Sequence, residues 1–301
     1  MVSSADCGPG AIMGVFSTVR ESLMQLKDIQ RIAAFDDNGQ GGNPAGVWIG
    51  AVLPDAAEMA RIAHAVGFSE TAFAAPEGEA WRVRYFSPES EVPFCGHATI
   101  ALGAALARAH GDGRYALTLN AASITVEGRR EGERVHAALQ SPPTWSRAAE
   151  PQLVDAALAL FGYTRADLDP RIAPALAHGG ADHLVLALSS RALLAAMRYE
   201  LDAGRALMLE HGLVTVVLAW AEHPQLFHTR NPFASGGVYE DPATGAGTAA
   251  LAGYLRDIGW PHGGRIEIVQ GEDMGARSRL TAEIGDKAGG SIRVSGTARL
   301  M

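Results

Sequence analysis

The chain has 301 residues, 48% of them hydrophobic, and a formal net charge of −8. This is enough apolar material for two packed domains. The acidic balance, without basic runs or basic–aromatic interleaving, argues against a nucleic-acid partner. No apolar run reaches the roughly 18 residues of a membrane span, and two cysteines, Cys7 and Cys95, make no disulfide framework and fit a reducing cytoplasm.

Residues 1–26 read as an extension with a helical tendency from Ser17 to Lys27, and they lack the basic start and apolar middle of a signal peptide. Ile29 to Phe35 reads as a strand. Asp36 to Pro44, DDNGQGGNP, is a turn, and Ala45 to Ile49 is a second strand. Pro54 opens a helix through Val66, with Asp55 and Glu58 in its first turns and Gly67 as its stop. Phe68 to Phe73 is a strand carrying one acid, Glu70, and Trp81 to Phe86 alternates as another. A loop, Ser87 to Pro93, leads into a helix that ends near Ala109.

Tyr115 to Leu119, Ser123 to Glu127 and Val135 to Leu139 are short strands. Ser141-Pro142-Pro143 is the expected linker. Beyond it come a helix from Pro151 to Phe161, a strand within Gly179 to Leu188, and one or two helices between Arg191 and Leu209. Val214 to Trp220 is a β-branched strand. A loop is expected from His228 to Asp241, then a helix from Gly245 to Ile258. Three strands close the chain, at Arg265 to Gln270, Arg279 to Ile284 and Ser291 to Ala298.

The stretch EVPFCGHATIALGAAL, Glu91 to Leu106, has a second version 149 positions later. Gly96 aligns with Gly245, Thr99 with Thr248, Ala101 with Ala250, Leu102 with Leu251 and Leu106 with Leu255. Each copy is a glycine turn feeding an Ala/Leu-rich helix, which points to two similar halves. A helix N-terminus carries unpaired N–H groups and partial positive charge, and glycine lets a ligand approach them. Two such tips across a cleft would grip a small carboxylate from both sides. Taken singly, each is equally readable as a capped core helix.

Glu70 lies among apolar neighbours in FSETAF. Burial favours the protonated form of a carboxyl, which suits a group that takes and returns a proton near neutrality; a solvent-facing strand-end Glu is the alternative. Cys95 sits where a helix N-terminus lowers a thiol's pKa, or is a small buried residue. His97 is placed to bond a carboxylate or assist proton transfer, or is structural. Asp241 and Glu240 would bind an amine or hydroxyl, or fix their loop. His178, His183, His223 and His228 show no metal-ligand spacing, and there is no Walker loop, dinucleotide fingerprint or serine elbow.

Five stretches, GGNPAGV (Gly41 to Val47), GFSETAF (Gly67 to Phe73), YFSPESEVPFCGHAT (Tyr85 to Thr99), EDPATGAG (Glu240 to Gly247) and QGEDMGARSRL (Gln270 to Leu280), together resemble the PhzF-like family of phenazine-biosynthesis isomerase relatives. That family is similar in fold to diaminopimelate epimerase. The resemblance implies an α+β chain of two similar domains, each a β-barrel-like sheet around a central helix, with the active site in the cleft between them. The expected boundaries are 27–142, completed by a C-terminal strand at 290–301, and 143–289. The family's catalytic Glu falls on Glu70, its Gly-His pair on Gly96 and His97, its motif Asp on Asp241, and the following glycine on Gly245.

The implied activity is a cofactor-free, metal-free isomerisation in which Glu70 moves a proton on a small amino-acid-like carboxylate. His97 and Asp241 orient and polarise, and the backbone around Cys95, Gly96, Thr244, Gly245 and Ala246 binds the acid. The phenazine enzyme has Ser where this chain has Ala246, which puts the phenazine substrate in doubt. Cys95 matches one of the two epimerase cysteines, but Thr244 stands at the other. An epimerase using Cys95 and Glu70, and a non-catalytic small-acid binder, are the alternatives. Family relatives are often dimers, so a homodimer is expected.

Overall fold

The computed structural model describes residues 26–301. Most of the proposed extension lies outside them; Leu26–Asp28 form a 3₁₀ turn. Six α-helices are present among the described residues: α1 (Ala56–Val66), α2 (Gly96–His110), α3 (Pro151–Phe161), α4 (Arg191–Ala195), α5 (Leu201–Glu210) and α6 (Gly245–Asp257).

Around α2 the strands close on themselves. Gln30–Asp36 pairs with Asn43–Ile49, and pairing continues through Glu70–Glu77, Ala80–Phe86, Gly113–Thr118, Ser123–Glu131, Arg134–Gln140 and Arg293–Leu300, which returns to Gln30–Asp36. A closed sheet leaves no free edge. Its interior explains the composition of α2: every residue from Gly96 to Ala107 is buried. A helix enclosed on all sides needs apolar residues all round rather than on one stripe.

The second helix has a related setting. α6 is buried from Gly245 to Leu255. Around it run Trp145–Ala148, Ala175–His178, Asp182–Ala187, Thr215–His223, Leu226–Phe233, Arg265–Gln270 and Ser278–Glu283, paired in that order. This arc joins the barrel through Arg293–Leu300, which pairs with Ser278–Glu283 as well as with strands of the first half. The fold is thus α+β, with a sheet wrapped around a central helix in each half. Ser141, where a linker was expected, is tied down: its N–H donates to Ile292 O and its Oγ accepts from Ile292 N, both at 2.9 Å.

Two expectations are corrected, and two strands appear where none was expected. The loop from His228 to Asp241 is two antiparallel strands, Leu226–Phe233 and Val238–Asp241, reversed through a 3₁₀ turn. Arg230 and Glu240 pair with each other across the two strands, a contact that local pattern does not show. The short strands Trp145–Ala148 and Ala175–His178 carried too few residues to show a period. The strand placed at Phe68 to Phe73 runs from Glu70 to Glu77. Gly67 ends α1 in the left-handed conformation, φ 72°, and the chain turns through Phe68 and Ser69 before the strand begins.

Candidate active site

The two glycine turns meet. A methyl group on Gly96 would stand 2.9 Å from Gly245 Cα and 3.1 Å from Ala246 N. Only glycine allows backbones this close. Neither helix is capped by a side chain: Cys95 and Thr244, the N-cap residues of α2 and α6, make no capping hydrogen bond. Their first-turn N–H groups therefore keep the donor capacity and partial positive charge that anions seek.

Glu70 and His97 lie beside this junction, 5% and 4% exposed. His97 Nε2 is 3.4 Å from Glu70 Oε2 and 3.4 Å from Ser69 Oγ, while Nδ1 is 3.4 Å from Cys95 Sγ. Glu70 Oε2 has no hydrogen-bond partner among the described residues. A buried carboxylate oxygen without a hydrogen bond is costly to keep.

Asp241 approaches from the second half. One oxygen accepts from Asn43 Nδ2 at 2.7 Å and the other from the Thr244 hydroxyl. Burial pushes this carboxyl up to about 6 and the charge of Glu70 adds to it, while His97, Thr244 and Asn43 oppose the rise. Asn43 also donates to Ala243 O at 3.0 Å, so GGNPAGV clamps the second turn to the first half. Gln270 holds that turn from behind: its Nε2 donates to Asp241 O at 2.7 Å and Thr244 Oγ at 2.9 Å, and its Oε1 accepts from Thr244 N at 3.1 Å. The Thr244 hydroxyl is consequently committed to protein partners.

Of the two readings of Cys95, the small buried residue is the one that fits. Burial raises its thiol well above the ordinary range, and the charges of Glu70 and Asp241 push the same way. These effects outweigh the helix terminus that was expected to lower it. Glu240 is not at the site's working face; its carboxylate is held by Arg230 in a buried ion pair with Nε–Oε1 of 2.9 Å. Arg230 in turn donates to the carbonyl oxygens of Ala195 and Met197.

Glu70, Cys95, His97, Asp241 and the two glycine turns, Ala246 included, line one cavity of about 50 Å³. It adjoins a larger one of about 460 Å³, with Glu70, Phe94, Ala181, Val214 and Phe233 shared between them. The inner space suits a carboxylate-sized group, water's share of liquid being about 30 Å³. A separate cavity of about 840 Å³ among Arg114, Arg129, Arg130 and Arg293 contains none of these residues. Sequence spacing showed no metal set, yet the ligand atoms of Glu70, Cys95 and His97 fall within 4.8 Å of one another. An ion there would have to displace the firmly held thiol proton. Asn43, Gln270 and His183, which lines the inner cavity, were missed as site residues; the first two lie in quoted motifs.

The family model described as phenazine biosynthesis-like protein, PhzC-PhzF, matches residues 32–301. The chain belongs to the PhzF family. A PhzF-family relative, the trans-2,3-dihydro-3-hydroxyanthranilate isomerase of Pseudomonas aeruginosa, is 31% identical over 259 residues, covering 83% of this chain and 88% of the relative. The PhzF-family protein of Bacillus anthracis shares the fold with TM-score 0.78 at 21% identity, over 91% of this chain and 96% of that one. A hydroxyproline epimerase from Agrobacterium vitis, solved with bound trans-4-OH-L-proline, aligns with TM-score 0.62 at 13% identity, over 91% and 88%. The PhzF-type relatives carry isomerase names, and this chain is an isomerase of that family. Among the described residues no helix is long and apolar enough to cross a membrane.

Proposed function

We propose that this PhzF-family isomerase moves a proton between two carbons of a small amino-acid-like carboxylate, with Glu70 as the shuttle and no organic cofactor. The observation that carries the reading is the meeting of two uncapped helix tips at Gly96 and Gly245 beside the buried Glu70 Oε2, which makes no hydrogen bond among the described residues. The tips hold the substrate carboxylate. Glu70 takes a proton from a substrate carbon as a C–H bond breaks. The electron pair shifts through the adjoining π system, and the same carboxyl returns the proton to a second carbon. His97, 3.4 Å from Glu70, polarises that carboxyl, and Asp241 receives a substrate amine or hydroxyl. The enclosure keeps water from intercepting the proton.

A thiol-based epimerisation has less support. It needs a ready thiolate, and Cys95 is held protonated, while the facing position is a Thr already bonded to Asp241 and Gln270. The test begins with a thermal-shift screen of cyclic and linear amino acids, including trans-2,3-dihydro-3-hydroxyanthranilate, the compound in the Pseudomonas relative's name. Stabilising compounds are then followed by NMR in D₂O. Deuterium should enter a substrate carbon, and Glu70→Gln should slow this by about 10²-fold or more. Incorporation at an undiminished rate in Glu70→Gln would remove Glu70 from the role.

A further inference from the structure

We propose that His183 touches the substrate: it is a neutral imidazole whose Nε2–H donates to a substrate oxygen other than the carboxylate. The inference rests on the proton-transfer reading for the location of the carboxylate, and on geometry of its own for the rest. His183 is fully buried in Asp182–Ala187 and lines the same inner cavity as Glu70 and Asp241. Its Nδ1 lies 2.8 Å from Thr215 Oγ, its register partner on the parallel neighbouring strand. Its Nε2 is buried with no partner among the described residues. An apolar strand, DHLVLA, gains nothing from half of an imidazole. Leaving a buried ring nitrogen unpaired is costly.

Among the described residues Thr215 Oγ has no other hydrogen-bond partner; in the proposed tautomer its hydroxyl donates to Nδ1 and the ring's own proton sits on Nε2. Burial, with His178 nearby adding to it, lowers the ring to about 3 and keeps it neutral at working pH. A neutral N–H donor does not compete with Glu70 for the transferred proton. It suits a hydroxyl or keto oxygen on the substrate, and it makes substrates without that oxygen leave a donor unpaired.

Two measurements test this. In ¹⁵N-detected NMR of the full chain, His183 should be neutral with its proton on Nε2 from pH 5 to 8; a proton on Nδ1 overturns the assignment. In calorimetric titrations with 3-hydroxyanthranilate and anthranilate, wild type should prefer the hydroxylated compound by about tenfold. His183→Leu should abolish the preference, and His183→Gln, which returns an N–H near the same place, should restore part of it. A preference that survives in folded His183→Leu, no restoration in folded His183→Gln, or wild type binding both compounds equally or neither, each overturns the proposal. If wild type shows the preference but never exchanges deuterium, the proton-transfer reading fails while the His183 contact stands.

Discussion

Gly96 and Gly245 press backbone to backbone, each standing where the other's side chain would go: a methyl on Gly245 would lie 3.2 Å from Gly96 Cα, and one on Gly96 2.9 Å from Gly245 Cα. The neighbours are main chain, so no side chain can swing aside. Gly96→Ala must therefore part the two helix tips. It should cost about 1–3 kcal/mol of stability, and a separation of even 1 Å should cut turnover by about 10²-fold. Gly285→Ala is the control, since nothing lies within 4 Å of a methyl there. Denaturant melts of both variants, with rates of deuterium exchange, check the pair.

Asn43 joins the halves at the site by donating to Asp241 Oδ1 and Ala243 O. Asn43→Ala leaves a buried carboxylate oxygen and a carbonyl with one partner fewer. A loss of about 2–4 kcal/mol follows from two such bonds, one of them to a charged group. Because the Asp241 carboxylate then keeps its Thr244 bond but loses its tie to the first half, binding should weaken along with turnover. Asn43→Ala that melts like wild type would show the clamp to be idle.

These contacts also explain what could be read in the chain beforehand. The glycine-led repeat is a local pattern, so α2 and α6 and their like settings were legible, as was Glu70 in a partly apolar strand. The closing of the barrel by Arg293–Leu300 depends on a partner 160 or so residues away, and only the expected C-terminal strand hinted at it. Asn43 and Gln270 sit in recognisable motifs, but nothing in sequence says that their amides point at Asp241 and Thr244. His183 looks like any polar interruption of an apolar strand. Of the two readings of Cys95, the reactive thiol rested on helix position, which is local, whereas burial and the carboxyls of Glu70 and Asp241, which favour the buried inert one, are not.

Cys95 should be unreactive. With its Sγ buried against His97 and its proton held by burial and two carboxyls, little thiolate exists near neutrality. Alkylation of Cys95 by iodoacetamide at pH 7.5, read at that residue by peptide mass spectrometry so that Cys7 is not counted, should be slower by about 10²-fold or more in the native chain than after unfolding in urea. Cys95→Ser keeps a small group that can contact His97, so turnover should fall by less than about tenfold. Fast alkylation, or loss of all activity in folded Cys95→Ser, would restore the epimerase reading.

Asp241 should give stability a pH dependence of defined sign. Its carboxyl ordinarily titrates at 3.8 and in the folded chain at about 6, raised by burial first and by Glu70 among the charges. Between those values the folded chain holds a proton that the unfolded chain has released. This group therefore favours folding fully below pH 3.8, and its contribution is lost as pH rises to about 6. The full displacement corresponds to about 3 kcal/mol. Asp241→Asn removes the titration and loses some hydrogen bonding at every pH. The Tm of Asp241→Asn relative to wild type should thus be lowest near pH 4 and rise toward pH 6.5. Carboxyls remote from Asp241 titrate alike in both proteins and cancel in the difference. A difference that stays flat across this range would mean that Asp241 is ionised throughout, held so by His97 and the donors around it.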